Sequence, residues 1–152
     1  MRRRSHFLWL ALILPLWWTV GRALLGSIGW GTFALVLFFP VLLAPLGITL
    51  LYALRGDVRR SGRLRPDEAG ALWAMYASLF AGGFFFVDAG DSSPSMGSVF
   101  THLVHGGESF SSAAAGLMLT LGLLLGGLCL VGGCFRLGSA YRKKSPGAPG
   151  SF

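Results

Sequence analysis

The sequence predicts an all-α integral membrane protein of four transmembrane helices, with a short amphipathic outer-surface helix between the third and fourth. Three observations predict it. Charged residues are 12% of the chain, about half the share usual in soluble domains, while hydrophobic residues reach 53%. Uncharged runs of 32 residues (23–54) and 19 residues (69–87) flank one charged segment, 55–68. Each run is long enough to cross a hydrocarbon core of roughly 30 Å at about 1.5 Å per residue. Finally, 12 of the 13 lysines and arginines fall in three clusters, at the N-terminus, in 55–68 and in the tail. All three share one side of the membrane only if the chain crosses it four times.

The first span is expected at about 7–25. Arg2, Arg3 and Arg4 precede an apolar run, as in a secretory signal, but the region after it offers only poor small-residue cleavage patterns, so a retained helix is expected. Trp17 and Trp18 suit a headgroup belt, and Pro15 is expected to kink the helix. Arg22 has two readings: it snorkels from a tight turn at 21–29, or it forms an ion pair with Asp88 or Asp91 that ties the first span to the third.

The second span lies within 29–54, where Pro40, Pro45 and Gly47 mark a bend or break. The segment 55–68 carries Arg55, Arg59, Arg60, Arg63 and Arg65. It serves as a topology determinant and as a grip for anionic lipid headgroups. Pro66 fits a first-turn position, and Asp67 and Glu68 oppose the positive end of the dipole of the third span, 68–88.

Small residues recur on two faces. Gly70, Ala74, Ala77 and Ala81 follow four-three-four spacing in the third span. Gly122, Gly126, Cys129 and Gly133 repeat it in the fourth, 111–135. Such faces let helices approach closely, so the two are expected to pack together, within the chain or between copies in a homo-oligomer. Cys129 and Cys134 are too far apart around a helix to form a disulfide. The tail, 136–152, is basic and ends in Pro and Gly, which predicts disorder.

The segment between the third and fourth spans predicts a surface helix over 94–105. Met96, Val99, Phe100, Leu103 and Val104 form its apolar face, and Ser98, Thr101, His102 and His105 lie opposite. His102, His105 and Glu108 are candidate metal ligands by their three-residue spacing.

The positive-inside rule places both termini in the cytoplasm. The arginine-rich, glycine-rich composition points to the bacterial inner membrane. A net charge of +7 is explained by orientation and lipid contact, with no nucleic acid required. No P-loop, dinucleotide fingerprint, HExxH or CxxC is present, and the charged residues within the predicted span limits, Arg22, Glu68 and Asp88, fall at span ends. A non-enzymatic structural or accessory membrane component without a cofactor is therefore expected. The alternatives are a small oligomeric transporter or channel subunit and an outward-facing metal or pH sensor built on 88–108.

Overall fold

The computed structural model describes residues 4–25, 29, 43–88, 97–105 and 107–144. Regular structure among them is entirely helical. The chain begins with α1 (Arg4–Leu16), a π-helical segment (Trp17–Gly21) and α2 (Arg22–Leu24), continuous with one another. Pro15 lacks an N–H for the helical ladder, and the disturbance appears as this π-helical segment while the helix itself continues. Thr19 Oγ1 donates to the Pro15 carbonyl at 2.8 Å.

The second predicted span is described from Leu43 onward; its first part, Pro40 included, lies outside the described residues. Helix α3 (Ala44–Ala53) starts with Pro45 in its first turn, where a missing N–H costs no ladder bond. The charged segment is ordered rather than a bare loop. Helix α4 (Gly56–Ser61) stops at Gly62, which takes the left-handed φ of 66°. Val58 and Leu64 are buried beneath it, while Arg59 and Arg60 point outward.

Helix α5 (Pro66–Phe85) is 20 residues long. Its start is as expected: Pro66 leads, and Glu68 Oε2 accepts the Arg65 backbone N–H at 3.3 Å, half of a capping box. The surface helix is shorter than predicted, α6 (Val99–Val104), capped by Ser98 and ended by His105 at a φ of 58°. Its predicted faces are only partly kept. Val99 is buried and Phe100 packs against Phe85 and Phe110 as the apolar face requires, but Leu103 and Val104 are exposed while Ser98 and Thr101 are buried. Ser98 and Ser111 share a hydrogen bond of 2.6 Å and Ser111 donates to the Phe85 carbonyl at 2.7 Å. Met96 and the predicted start at Pro94 lie outside the described residues.

Helix α7 (Glu108–Lys144) runs 37 residues. The expectation of a disordered segment from residue 136 is therefore corrected as far as Lys144. No proline or glycine pair interrupts the helix there, and Pro146 comes only beyond it. Among the described residues, two helical stretches, Ser5–Leu24 and Glu108–Ser139, are long and apolar enough to cross a membrane.

Helices α5 and α7 form the most extensive pairing, but not through two small faces. The α7 face is packed as predicted: Gly122, Gly126, Cys129 and Gly133 are all buried. It receives large side chains, Leu79 at Gly122 and Leu51 at Gly133. Gly70, Ala74 and Ala77, by contrast, are on the exposed side of α5. The packed face of α5 is Leu72, Met75, Tyr76 and Leu79, with Gly82 accepting Leu119 in return. Ridges filling a groove bury more area than two grooves facing one another.

Candidate functional site: two charged ends and an apolar chamber

At one end of the bundle, Arg55 stands at the junction of α3 and α4 and is only 6% exposed. It donates twice to Asp57, Nε to Oδ1 at 3.1 Å and Nη2 to Oδ2 at 2.6 Å, and a third time to Glu68 Oε1. Arg136, from α7, donates to the same Glu68 oxygen and to Asp67 Oδ2 at 3.0 Å. Arg65 adds an ion pair to Asp67 at 3.4 Å. Three arginines and three carboxylates thus bind four elements together, with charge-assisted bonds roughly twice as strong as neutral ones. Hydrogen bonding to Asp57 pushes the Arg55 guanidinium above its ordinary value. The same contact holds the Asp57 carboxyl below its usual range, as the bond from Arg136 does for Asp67.

This geometry corrects the headgroup assignment of Arg55, whose donors are turned inward onto carboxylates. Arg59, Arg60, Arg63 and Arg65 remain exposed. Arg136, expected as a tail charge, is the residue that sequence reasoning missed. Its signal is its position, directly after the apolar stretch 111–135 and level with Asp67 and Glu68.

At the other end, Arg22 is fully buried, which corrects the snorkelling reading. Its guanidinium carbon lies 4.9 Å from the Phe86 ring centre and 5.7 Å from the Trp18 ring centre. Nη2 donates to the Phe86 carbonyl at 2.9 Å and approaches Asp88 Oδ2 at 3.8 Å. The predicted partner, Asp88, is therefore present as an ion pair, and a direct hydrogen bond goes to the backbone. Asp91 lies outside the described residues. Asp88 is itself held by paired backbone bonds with Gly97, both 2.9 Å. The two indoles beside Arg22 dock on α5: Trp17 Nε1 donates to the Phe80 carbonyl and Trp18 Nε1 to the Leu79 carbonyl, each at 3.2 Å. They need Gly83, where a Cβ would stand 2.8 Å from Trp17 Nε1 and 3.0 Å from Trp18 Cε2.

Between the ends, polar groups are bonded back to the chain. Tyr76 donates to the Pro45 carbonyl at 2.9 Å and shares a 2.6 Å bond with Thr49, and Tyr52 donates to the Cys129 carbonyl at 2.7 Å. Among the described residues His102, His105 and Glu108 do not gather into a metal-holding group. His102 is half-buried at the edge of α6, whereas His105 and Glu108 are exposed on either side of the turn into α7. Cys129 and Cys134 are both free thiols.

A chamber of about 340 Å³ lies between α1, α3, α5 and α7. Among its lining residues are Leu14, Trp18, Ile48, Met75, Phe86 and Leu119. Its size falls within the roughly 300–1,000 Å³ of small-molecule pockets, but its described lining residues include no convergent polar groups of the kind that orient a polar ligand.

Comparison with protein-family models, with curated proteins and with solved structures gave no match for this chain. The functional reading therefore rests on geometry.

Proposed function

We propose that the chain is a four-span protein of the bacterial inner membrane with both termini in the cytoplasm. In this reading it is a non-enzymatic structural or accessory component held by its own helix packing and by the bilayer. The observation that carries this reading is the distribution of polarity. Charges collect at two ends, the outside between them is apolar, and the interior hydroxyls of Thr49, Tyr52 and Tyr76 are bonded to the protein itself. Exposed Trp9, Leu12, Leu16, Leu117, Leu124 and Leu128 are then lipid-facing rather than solvent-facing. Arg59, Arg60 and Arg63 form the basic surface offered to anionic headgroups on the cytoplasmic side.

Topology is tested by labelling single cysteines in intact cells, with both native cysteines replaced by serine. Cysteine at Ser61 is expected to stay protected from an impermeant reagent, and cysteine at Ser95 to react. The reverse pattern, or reaction at both, removes the four-span orientation. A crosslinking and native-mass survey tests the accessory role. A defined heteromeric membrane partner supports it; a discrete homo-oligomer that passes solute in a flux assay replaces it with the transporter reading, which the apolar chamber favours.

A further inference from the structure

We propose that the chamber between α1, α3, α5 and α7 is a binding site for one acyl chain of a bilayer phospholipid. This inference rests on the membrane reading above and goes beyond it by giving the chamber an occupant.

The lining excludes water as that occupant. A buried water needs two to four polar partners, and the side chains around the lumen are aliphatic and aromatic. Among the described lining residues the indole N–H is that of Trp18, already donated to the Leu79 carbonyl. The rim indicates where a ligand enters. Ala44, Leu123, Gly127 and Leu130 line the chamber and are also exposed on the outside of the bundle, Leu123 by 65% and Leu130 by 47%. The chamber therefore opens sideways, onto the same apolar surface that the bilayer covers. Hydrocarbon chains are at high concentration there and water is absent.

The lining away from the exposed rim decides between a phospholipid chain and a free fatty acid. It includes the rings of buried Trp18 and partly buried Phe86, and the Arg22 guanidinium sits against both, fully buried and facing Asp88. A carboxylate in the chamber would meet ring faces before it met that cation. The site accordingly takes the methyl end of a chain whose headgroup stays outside.

Gly127 supplies a clean probe. A Cβ built there meets nothing within 4 Å, unlike Gly122 and Gly133, whose missing side chains admit Leu79 and Leu51. Gly127→Phe should thus obstruct the rim without disturbing the α5–α7 packing, and Leu123→Phe narrows the mouth from a second position.

The experiment uses the full chain in mild detergent with a phosphatidylcholine carrying brominated acyl chains, a zwitterionic probe that the exposed arginines do not select. Native mass spectrometry is expected to show one retained lipid per chain, and bromine is expected to quench a tryptophan component that Trp18→Phe removes. Gly127→Phe should lower both signals at least tenfold while the melting temperature stays within about two degrees; Gly127→Ala should change neither. Should Gly127→Phe lower the melting temperature, Leu123→Phe carries the test. Four results overturn the proposal: no retained lipid, retention and quenching indifferent to both phenylalanine variants, a cysteine at 127 crosslinking to the chain's own segment 30–42 with lipid excluded, or a dimer that closes the mouth. Carbonate extraction separates this failure from that of the parent reading. A chain that stays in the membrane but retains no lipid sinks only the chamber, whereas a chain released by carbonate sinks the membrane reading itself.

Discussion

The two ends of the bundle hold arginine in different ways. Around Arg55 and Arg136 the cations face Asp57, Asp67 and Glu68 through direct hydrogen bonds, and much of the cluster reaches the surface. Around Arg22 the contacts among the described residues include Asp88 at 3.8 Å, the faces of Trp18 and Phe86 and the Phe86 carbonyl, and the arginine itself is fully buried. Unit charges about 4 Å apart attract by roughly 4 kcal/mol at an effective dielectric of 20. A desolvated cation–π contact adds about 2 kcal/mol. Arg22 therefore depends on ring placement nearly as much as on charge, whereas Arg55 depends on carboxylates. What differs is the solvent each side chain has replaced. The Arg55 end keeps water nearby and uses matched charges; the Arg22 end excludes water and surrounds its cation with polarisable groups.

Substitutions can break or sharpen this contrast. The largest effect is expected from Glu68→Gln, which removes the carboxylate shared by Arg55 and Arg136. Thermal unfolding in detergent should show a loss of about 4 kcal/mol, because, among the described residues, mostly buried Arg55 is left with Asp57 alone and Arg136 with Asp67 alone. Arg22→Leu should cost about 3 kcal/mol by stranding buried Asp88, and Arg22→Leu with Asp88→Leu should recover at least about 1 kcal/mol. Strict additivity in that cycle would mean the 3.8 Å pair carries no coupling. Gly83→Leu should cost about 2 kcal/mol by overpacking against Trp17 and Trp18, and it should shift tryptophan emission as the indoles leave their carbonyls. Tyr76→Phe should cost about 1 kcal/mol through the lost bond to Pro45. The smallest effect concerns pH. Asp57 and Asp67 titrate below their ordinary values, so their contribution is complete above the unfolded value near 4. It fades as pH falls through the lowered folded values. A melting profile should therefore soften on its acid side at the Arg55 end, and Asp67→Asn should flatten that limb; an unchanged limb would mean Asp67 contributes nothing through its pairing.

What the sequence revealed follows from the range of each interaction. The start of α5 was legible because Pro66, Asp67 and Glu68 act within one turn. The buried face of α7 was legible because Gly122, Gly126, Cys129 and Gly133 share a stripe. Which side of α5 meets that stripe was not, since Gly70 and Ala74 are as small as any packing residue and only tertiary contact decides. Arg22 with Asp88 was found by matching depth along two spans, while the Arg136 link to Glu68 joins residues 68 positions apart. The burial of the polar side of α6 was hidden for a similar reason: Ser98 and Thr101 look solvent-seeking until Ser111 from α7 offers Ser98 a partner and Ser98 in turn bonds Thr101.

The π-helical segment Trp17–Gly21 shifts the phase of the first helix. An i→i+5 turn accommodates one residue more than its α-helical equivalent, so residues beyond it are rotated by about 100° from where an unbroken α-helix would put them. Residues 4–16 can then follow one register against α3 and α5, while Arg22 follows another toward Asp88. Deleting a single residue inside 17–21 would merge the two registers and force a choice between the packing of Phe7 and Leu14 and the cation beside Phe86. The first helix is in effect two gears on one shaft.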